Sequence, residues 1–310
     1  MGAEENRQQK PSLAVIGTGI AGLSAAYLLK DLYRVTVFES QARAGMGAHS
    51  VDYVSNGISR RIDIPLRIFC RGYYENLFAL YNHIGVEIVT SDHSGIFADE
   101  AGRVMLHYGN LQWGDSQISY LKGRSWLRRE AWTLALQSRR FFARAKRDTG
   151  QAGLAQISFG EYLQQSDPGQ AFVGTILLPM LSVTCTCDYS AVLAYPADIM
   201  LEYLTCGIHE IGIMSAAKGV EDIVPRMLVD VDLRTNSPIA TIEPAGEQLR
   251  VVTSSGADQC FDQVVIAAQA QQAAAMVSGF DDRRALLNRI PFERSSMSRM
   301  AAAGPRYRST

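Results

Sequence analysis

The chain has 310 residues, 47% of them apolar and 20% charged, with a formal net charge of -1. That length allows a sizeable core and two domains, and the near-neutral charge excludes a global basic field for nucleic acid. The apolar runs are too short, or too broken by glycine, to span a bilayer.

The opening "MGAEENRQQK" is polar and lacks the pattern of a secretory or transit peptide, so a cytoplasmic location is expected. Leu13 to Ile16 then reads as a short buried parallel strand. Gly17, Gly19 and Gly22 follow directly, and a helix starts among them with Leu23, Ala26, Tyr27 and Lys30 at helical spacing. This order of strand, glycine turn and helix is a dinucleotide fingerprint. Gly17 permits the tight turn, Gly19 lets backbone approach a pyrophosphate, and Gly22 lets helix and strand close up. The unpaired amides at the helix start, at Ile20 and Ala21, supply the positive end.

A second strand, Arg34 to Phe38, leads into Glu39, about 20 residues past the glycines, where an acid can accept a ribose 2′-hydroxyl. Glu39 would repel a phosphate there, so the expected ligand carries an unphosphorylated adenosine ribose, as FAD and NAD do. The next segment separates those two. A nicotinamide dehydrogenase would continue with another crossover helix, whereas here "SQARAGMGAHS" leads into alternating runs around Asn56-Gly57, a hairpin signal.

At this point the chain resembles the flavin-containing amine oxidase superfamily, nearest to predicted NAD/FAD-binding, amine-oxidase-like proteins of bacteria and fungi. Members follow the ribose-binding acid with an R-x-G-G loop against flavin and pyrophosphate. Arg43 and Gly45 match that loop, Met46 replaces its second glycine, and Gly47 follows one place later. Weaker matches continue through "SFGEYL", "YPADIMLEYL", "KGVEDIVPRML", "SPIATIEP" and "FDQVVIAA". In "SPIATIEP" the resemblance puts Ile239 against adenine.

The resemblance implies an α/β fold: a Rossmann-type FAD-binding domain from residues 12–68 and 212–285, with an inserted α+β substrate domain from 69–211 and 286–310. It also implies FAD as cofactor and hydride transfer from a small-molecule substrate to flavin N5, in a biosynthetic pathway such as secondary metabolism. The lysine and aromatic pair usual near flavin in amine oxidases have no counterpart here, so no catalytic residue is assigned. Arg67 has two readings, facing the isoalloxazine or forming a structural ion pair. Members also extend well past the point matching "IPFERSSMSRM", returning a glycine-rich segment to the flavin, and the tail "AAAGPRYRST" carries none. The alternative reading is therefore a truncated relative that is weakly active or inactive and serves as a nucleotide-binding or partner protein.

Further elements follow in order. Tyr74 to Ile84 reads as a helix ended by Gly85, with His83 facing solvent. "SWLRREAWTLALQSRRFFARAKRD" reads as a long helix with Leu127, Ala131, Leu134, Ser138, Phe141 and Ala145 as its buried stripe and a strongly basic opposite face. A basic amphipathic helix can rest on an anionic membrane, but a solvated outer face is the expectation. Ser158 and Glu161 fit a capping box. Pro168-Gly169 marks a turn before an apolar helix through Met180. The five cysteines have irregular spacing, and Cys185-Thr-Cys187 reads as buried thiols rather than a redox or metal pair; no metal site is expected. Pro225 should kink or shorten its helix, and 249–253 and 262–267 read as strands joined by a turn. Oligomeric state is not legible.

Overall fold

The computed structural model describes residues 10–55, 58–92, 94–99, 101–114, 116–206 and 212–292. By their contacts the described residues form two units, one within 10–92 and 212–292, the other within 94–206.

The first unit is built on a four-stranded parallel sheet. Its strands lie in the order Asp232–Arg234, Arg34–Phe38, Ser12–Ile16 and Gln263–Ile266. Alternation along the strands decides the layers. Leu13, Val15, Val35 and Val37 pack with Ala26 and Leu29 of the helix Ile20–Leu29. Ala14, Ile16 and Phe38 turn the other way, onto Ile242, Val251 and Phe261 of an antiparallel sheet formed by Ile239–Ala245, Gln248–Thr253 and Asp258–Phe261. Both faces are therefore covered, as a parallel sheet requires, and a fully buried side chain such as Phe261 contributes about 1.5–3 kcal/mol.

The sequence reading joins residues 249–253 and 262–267 by a simple turn. The structure instead makes 254–257 the bend of a hairpin, whose second strand Asp258–Phe261 precedes the parallel strand. Asp262 is the pivot between them. Its carboxylate accepts from Ser12 N (2.7 Å), Ser12 Oγ (2.7 Å) and Gln248 Nε2 (2.9 Å).

The hairpin expected around Asn56-Gly57 pairs His49–Ser55 with Ile58–Ile64, in register His49 with Ile64 and Ser55 with Ile58. Asn56 and Gly57 themselves lie outside the described residues. The helix Glu75–His83 ends near Gly85, at φ 69°, and His83 is exposed. The strand Ile88–Ser91 pairs with Ile213–Ala216, and Phe69 exchanges backbone hydrogen bonds with Met214. Those bonds pair residues 69–92 with 213–216 and group them with the first unit, whereas sequence alone draws the domain boundary at 69. The helix Val220–Met227 stops two residues after Pro225, the early end the proline predicts.

The second unit has an antiparallel sheet, Gly95–Ala98, Val104–Trp113 and Ser116–Leu121, and a group of helices around a core that includes Phe141, Phe159, Phe172 and Leu181. The capping box forms: Ser158 Oγ accepts from Glu161 N and Glu161 Oε2 accepts from Ser158 N. The helical path after Gly169 runs on to Cys185 through a π turn at Val173–Leu177. The long helix begins at Arg129 rather than at Ser125, because Gly123–Leu127 forms a 3-10 turn. Ala131, Leu134, Phe141 and Ala145 are buried as expected, whereas Leu127 falls in the turn and is 82% exposed. Cys185 and Cys187 are half-buried rather than buried, packed against this core, and burial pushes the Cys185 thiol above its ordinary range. No helix among the described residues is long and apolar enough to cross a membrane.

Candidate dinucleotide site

Three strand ends meet at Gly17. Its N–H donates to Phe38 O (2.8 Å), and Ala267 N–H donates to Ile16 O (2.9 Å). Gly17 sits at φ 101°, where a Cβ would come within 2.8 Å of Ala267 O; at Gly22 a Cβ would come within 2.0 Å of Gly17 O. Both glycines are fixed by close packing. Gly19 differs: a Cβ there would meet no heavy atom within 4 Å. The tight turn and the close helix packing thus coexist with open space at the position where backbone should approach a ligand.

Gly19 is the N-cap of the helix Ile20–Leu29. No side chain caps it and its first turn carries no acid. The first amides, at Ile20 and Ala21, keep the positive end of the helix for an anion.

Glu39 lies just past the second strand, joined to its surroundings on every side. Oε2 accepts from Thr18 N (3.0 Å) and from Thr18 Oγ1; Oε1 accepts from Gln41 N (2.9 Å) and Ser40 Oγ (3.2 Å). Burial works against its charge, but the Thr18 hydroxyl, the two amides and the Ser40 hydroxyl together outweigh burial and hold the carboxyl below its usual range. Ser40 makes the longest of these bonds and is exposed, so a ligand hydroxyl can replace it at Oε1 with little loss.

The sequence reading passed over Thr18, which the structure makes central. It is buried, and its hydroxyl also accepts from Gly45 N (3.1 Å), while its carbonyl accepts from Met46 N (2.7 Å). One side chain therefore ties the acid to the arginine-glycine loop. No sequence signal marks it, since the position between the first two glycines of the fingerprint is unspecified.

The loop itself needs unusual backbone. Gly45, Met46 and Gly47 have φ of 156°, 44° and 61°. Arg67 Nη2 donates to the carbonyls of Met46 (2.8 Å) and Gly47 (3.4 Å), so Arg67 braces the loop, a role that the sequence reading did not include. Arg43 is exposed on the same loop. Ile239 is buried against the Ala14, Ile16 and Phe38 cluster, and the segment before it is tied to the acid by Ser237 N–H donating to Glu39 O (2.8 Å). The structure thus brings Gly17, Gly19, Ile20, Ala21, Gly22 and Glu39 around one strand end, with Gly45 beside them and Ile239 at the adjoining wall.

Residues 15–84 match the family of NAD(P)-binding Rossmann-like domains. Among solved structures, cyclohexylamine oxidase from Brevibacterium oxydans superposes over 90% of this chain and 63% of its own, with a TM-score of 0.60 at 16% identity. A putrescine oxidase superposes over 86% and 60%, with a TM-score of 0.58 at 17% identity. The fold is that of the amine-oxidase-like flavoproteins. Zeta-carotene desaturase of Solanum lycopersicum is 32% identical over 107 residues, which is 33% of this chain and 17% of the plant protein. The desaturase of Capsicum annuum is similar at 33% identity over 105 residues. The chain spans less than two thirds of these solved structures and about a sixth of the curated relatives. The flavoprotein fold accounts for the position of the glycines and of Glu39.

Proposed function

We propose that the chain is an FAD-dependent oxidoreductase that takes a hydride from a small-molecule substrate. The observation that carries this reading is the pairing of open space at Gly19, on an uncapped helix N-terminus, with an ionised Glu39 beyond the second strand. In this assignment Gly17, Gly19, Gly22 and the amides of Ile20 and Ala21 receive the pyrophosphate. Glu39 accepts a hydroxyl of the adenosine ribose and disfavours a 2′-phosphate, Ile239 lines the adenine, and Arg43, Gly45 and Gly47 form the loop nearest the pyrophosphate. These residues fit the adenine half of FAD by charge, by space and by backbone donors. When bound, FAD supplies the hydride acceptor. The substrate side is assigned to the second unit. A cytosolic setting belongs to the same proposal, supported by five cysteines whose irregular spacing does not resemble a disulfide framework.

The test is a visible spectrum of the purified protein before and after excess FAD, with unbound cofactor removed. Retained flavin bands are expected. Glu39→Ala should weaken retention by about 10- to 100-fold, the loss of a charge-assisted hydrogen bond. A wild-type protein that retains no FAD overturns the reading, and unchanged retention in Glu39→Ala overturns the ribose assignment.

A further inference from the structure

The face of the long helix that turns away from the core is not the uniformly polar surface of a solvated helix. Trp132 and Leu136 lie on it one turn apart, 46% and 48% exposed. Just before the helix, Trp126 is 57% exposed and Leu127 82% exposed. The two indole rings meet edge to face at 4.9 Å, and Trp132 Nε1 donates to Trp126 O (2.9 Å), so the pair is held as one outward aromatic block. The same exposed stripe continues along the helix into Arg139, Arg140, Lys146 and Arg147.

Charge is equally one-sided. From 122 to 147 seven exposed residues are basic, Lys122, Arg124 and Arg129 joining the four above, and Glu130 is the one exposed acid. Solvated helices ordinarily intersperse acids three or four places from their bases, which stabilises the helix. Here like charges crowd one face beside an exposed aromatic block, and the acids of the helix, Glu130 and Asp148, are outnumbered by its bases.

We propose that this face, from Lys122 to Arg147, docks on an anionic lipid surface, with Trp126, Leu127, Trp132 and Leu136 entering the headgroup boundary and the arginines pairing with phosphates. Apolar and aromatic side chains at one end with basic side chains along the rest is the combination that interfacial helices use. Charge complementarity selects anionic over neutral lipid. The inference is independent of the cofactor assignment.

Two of the three tryptophans of the chain, Trp126 and Trp132, lie on this surface, and the third, Trp113, is exposed at the end of the strand Val104–Trp113, so a blue shift of the emission reports Trp126 and Trp132 and is checked in Trp113→Phe. Vesicles of phosphatidylcholine with about one third phosphatidylserine should shift the emission to the blue and carry the protein upward in a flotation gradient. Pure phosphatidylcholine should do neither, and high salt should reverse both effects. Arg139→Gln with Arg140→Gln should weaken binding on the order of 25-fold, at about fivefold per base. Leu127→Glu, at a site too exposed to affect folding, should abolish the shift. Absence of flotation with anionic vesicles overturns the proposal. So does binding that neither set of substitutions changes, or a concentration-dependent dimer in light scattering that buries the tryptophans against a second copy.

Discussion

At the residue scale the site turns on how one carboxylate is held. Glu39 accepts four hydrogen bonds from its own chain, two of them from Thr18, and the Thr18 hydroxyl reaches on to Gly45. Thr18→Val keeps the shape of the side chain and removes that hydroxyl. It leaves Gly45 N–H without its acceptor and removes one donor from Glu39, at a cost of about 1–3 kcal/mol in a buried position. FAD retention should fall accordingly, and Thr18→Ser should restore it. If Thr18 served only for packing, the order would reverse: valine would be tolerated and serine, which lacks the methyl group, would be the weaker variant. Equilibrium titration of FAD against the three proteins distinguishes the two outcomes.

At the element scale, parallel strand Gln263–Ile266 joins the sheet edge through a polar clamp at the residue before it, Asp262. The Gln248 amide, then the Ser12 backbone amide and hydroxyl, hold the Asp262 carboxyl down at about 2, from an ordinary 3.8. A carboxyl depressed in the folded state contributes stability above its unfolded pKa and loses it as pH falls through the folded one. The clamp should therefore be fully present at neutral pH and weaken between about 4 and about 2. Thermal midpoints measured across that window should fall in the wild type. Asp262→Asn should begin lower at pH 7 and show a shallower acid decline. Equal slopes for the two proteins would mean that the Ser12 and Gln248 bonds contribute nothing to the sheet edge.

At the scale of the whole molecule, the two units have separate cores. The Rossmann unit packs around its sheet, and the second unit packs around Phe141, Phe159 and Phe172. Phe172→Ala removes a fully buried ring and should cost about 3–5 kcal/mol. Because every tryptophan lies between residues 113 and 132, denaturant unfolding followed by tryptophan emission reports the second unit. Its midpoint should move to markedly lower denaturant in the variant. An unmoved midpoint would mean that the site collapses around the lost ring without a cavity.

The sequence by itself determined the glycine turn, its helix, the acid after the second strand, the capping box and the early end after Pro225. Each depends on residues within one or two turns of chain: a positive φ that glycine allows, a side chain that caps its own helix, a ring that ends one. Only the tertiary structure decided the rest. Thr18 acquires its role from a loop 27 residues away, Arg67 from carbonyls about 20 residues upstream, and residues 69–92 from pairing with 213–216. Leu127 reads as the start of the buried stripe of the long helix, but a 3-10 turn ends before the helix begins at Arg129 and leaves it 82% exposed, because periodicity shows which residues share a face and not where the helix starts. Partners distant in sequence become neighbours only when the chain has folded, and hydrogen bonds between them leave no local pattern to read.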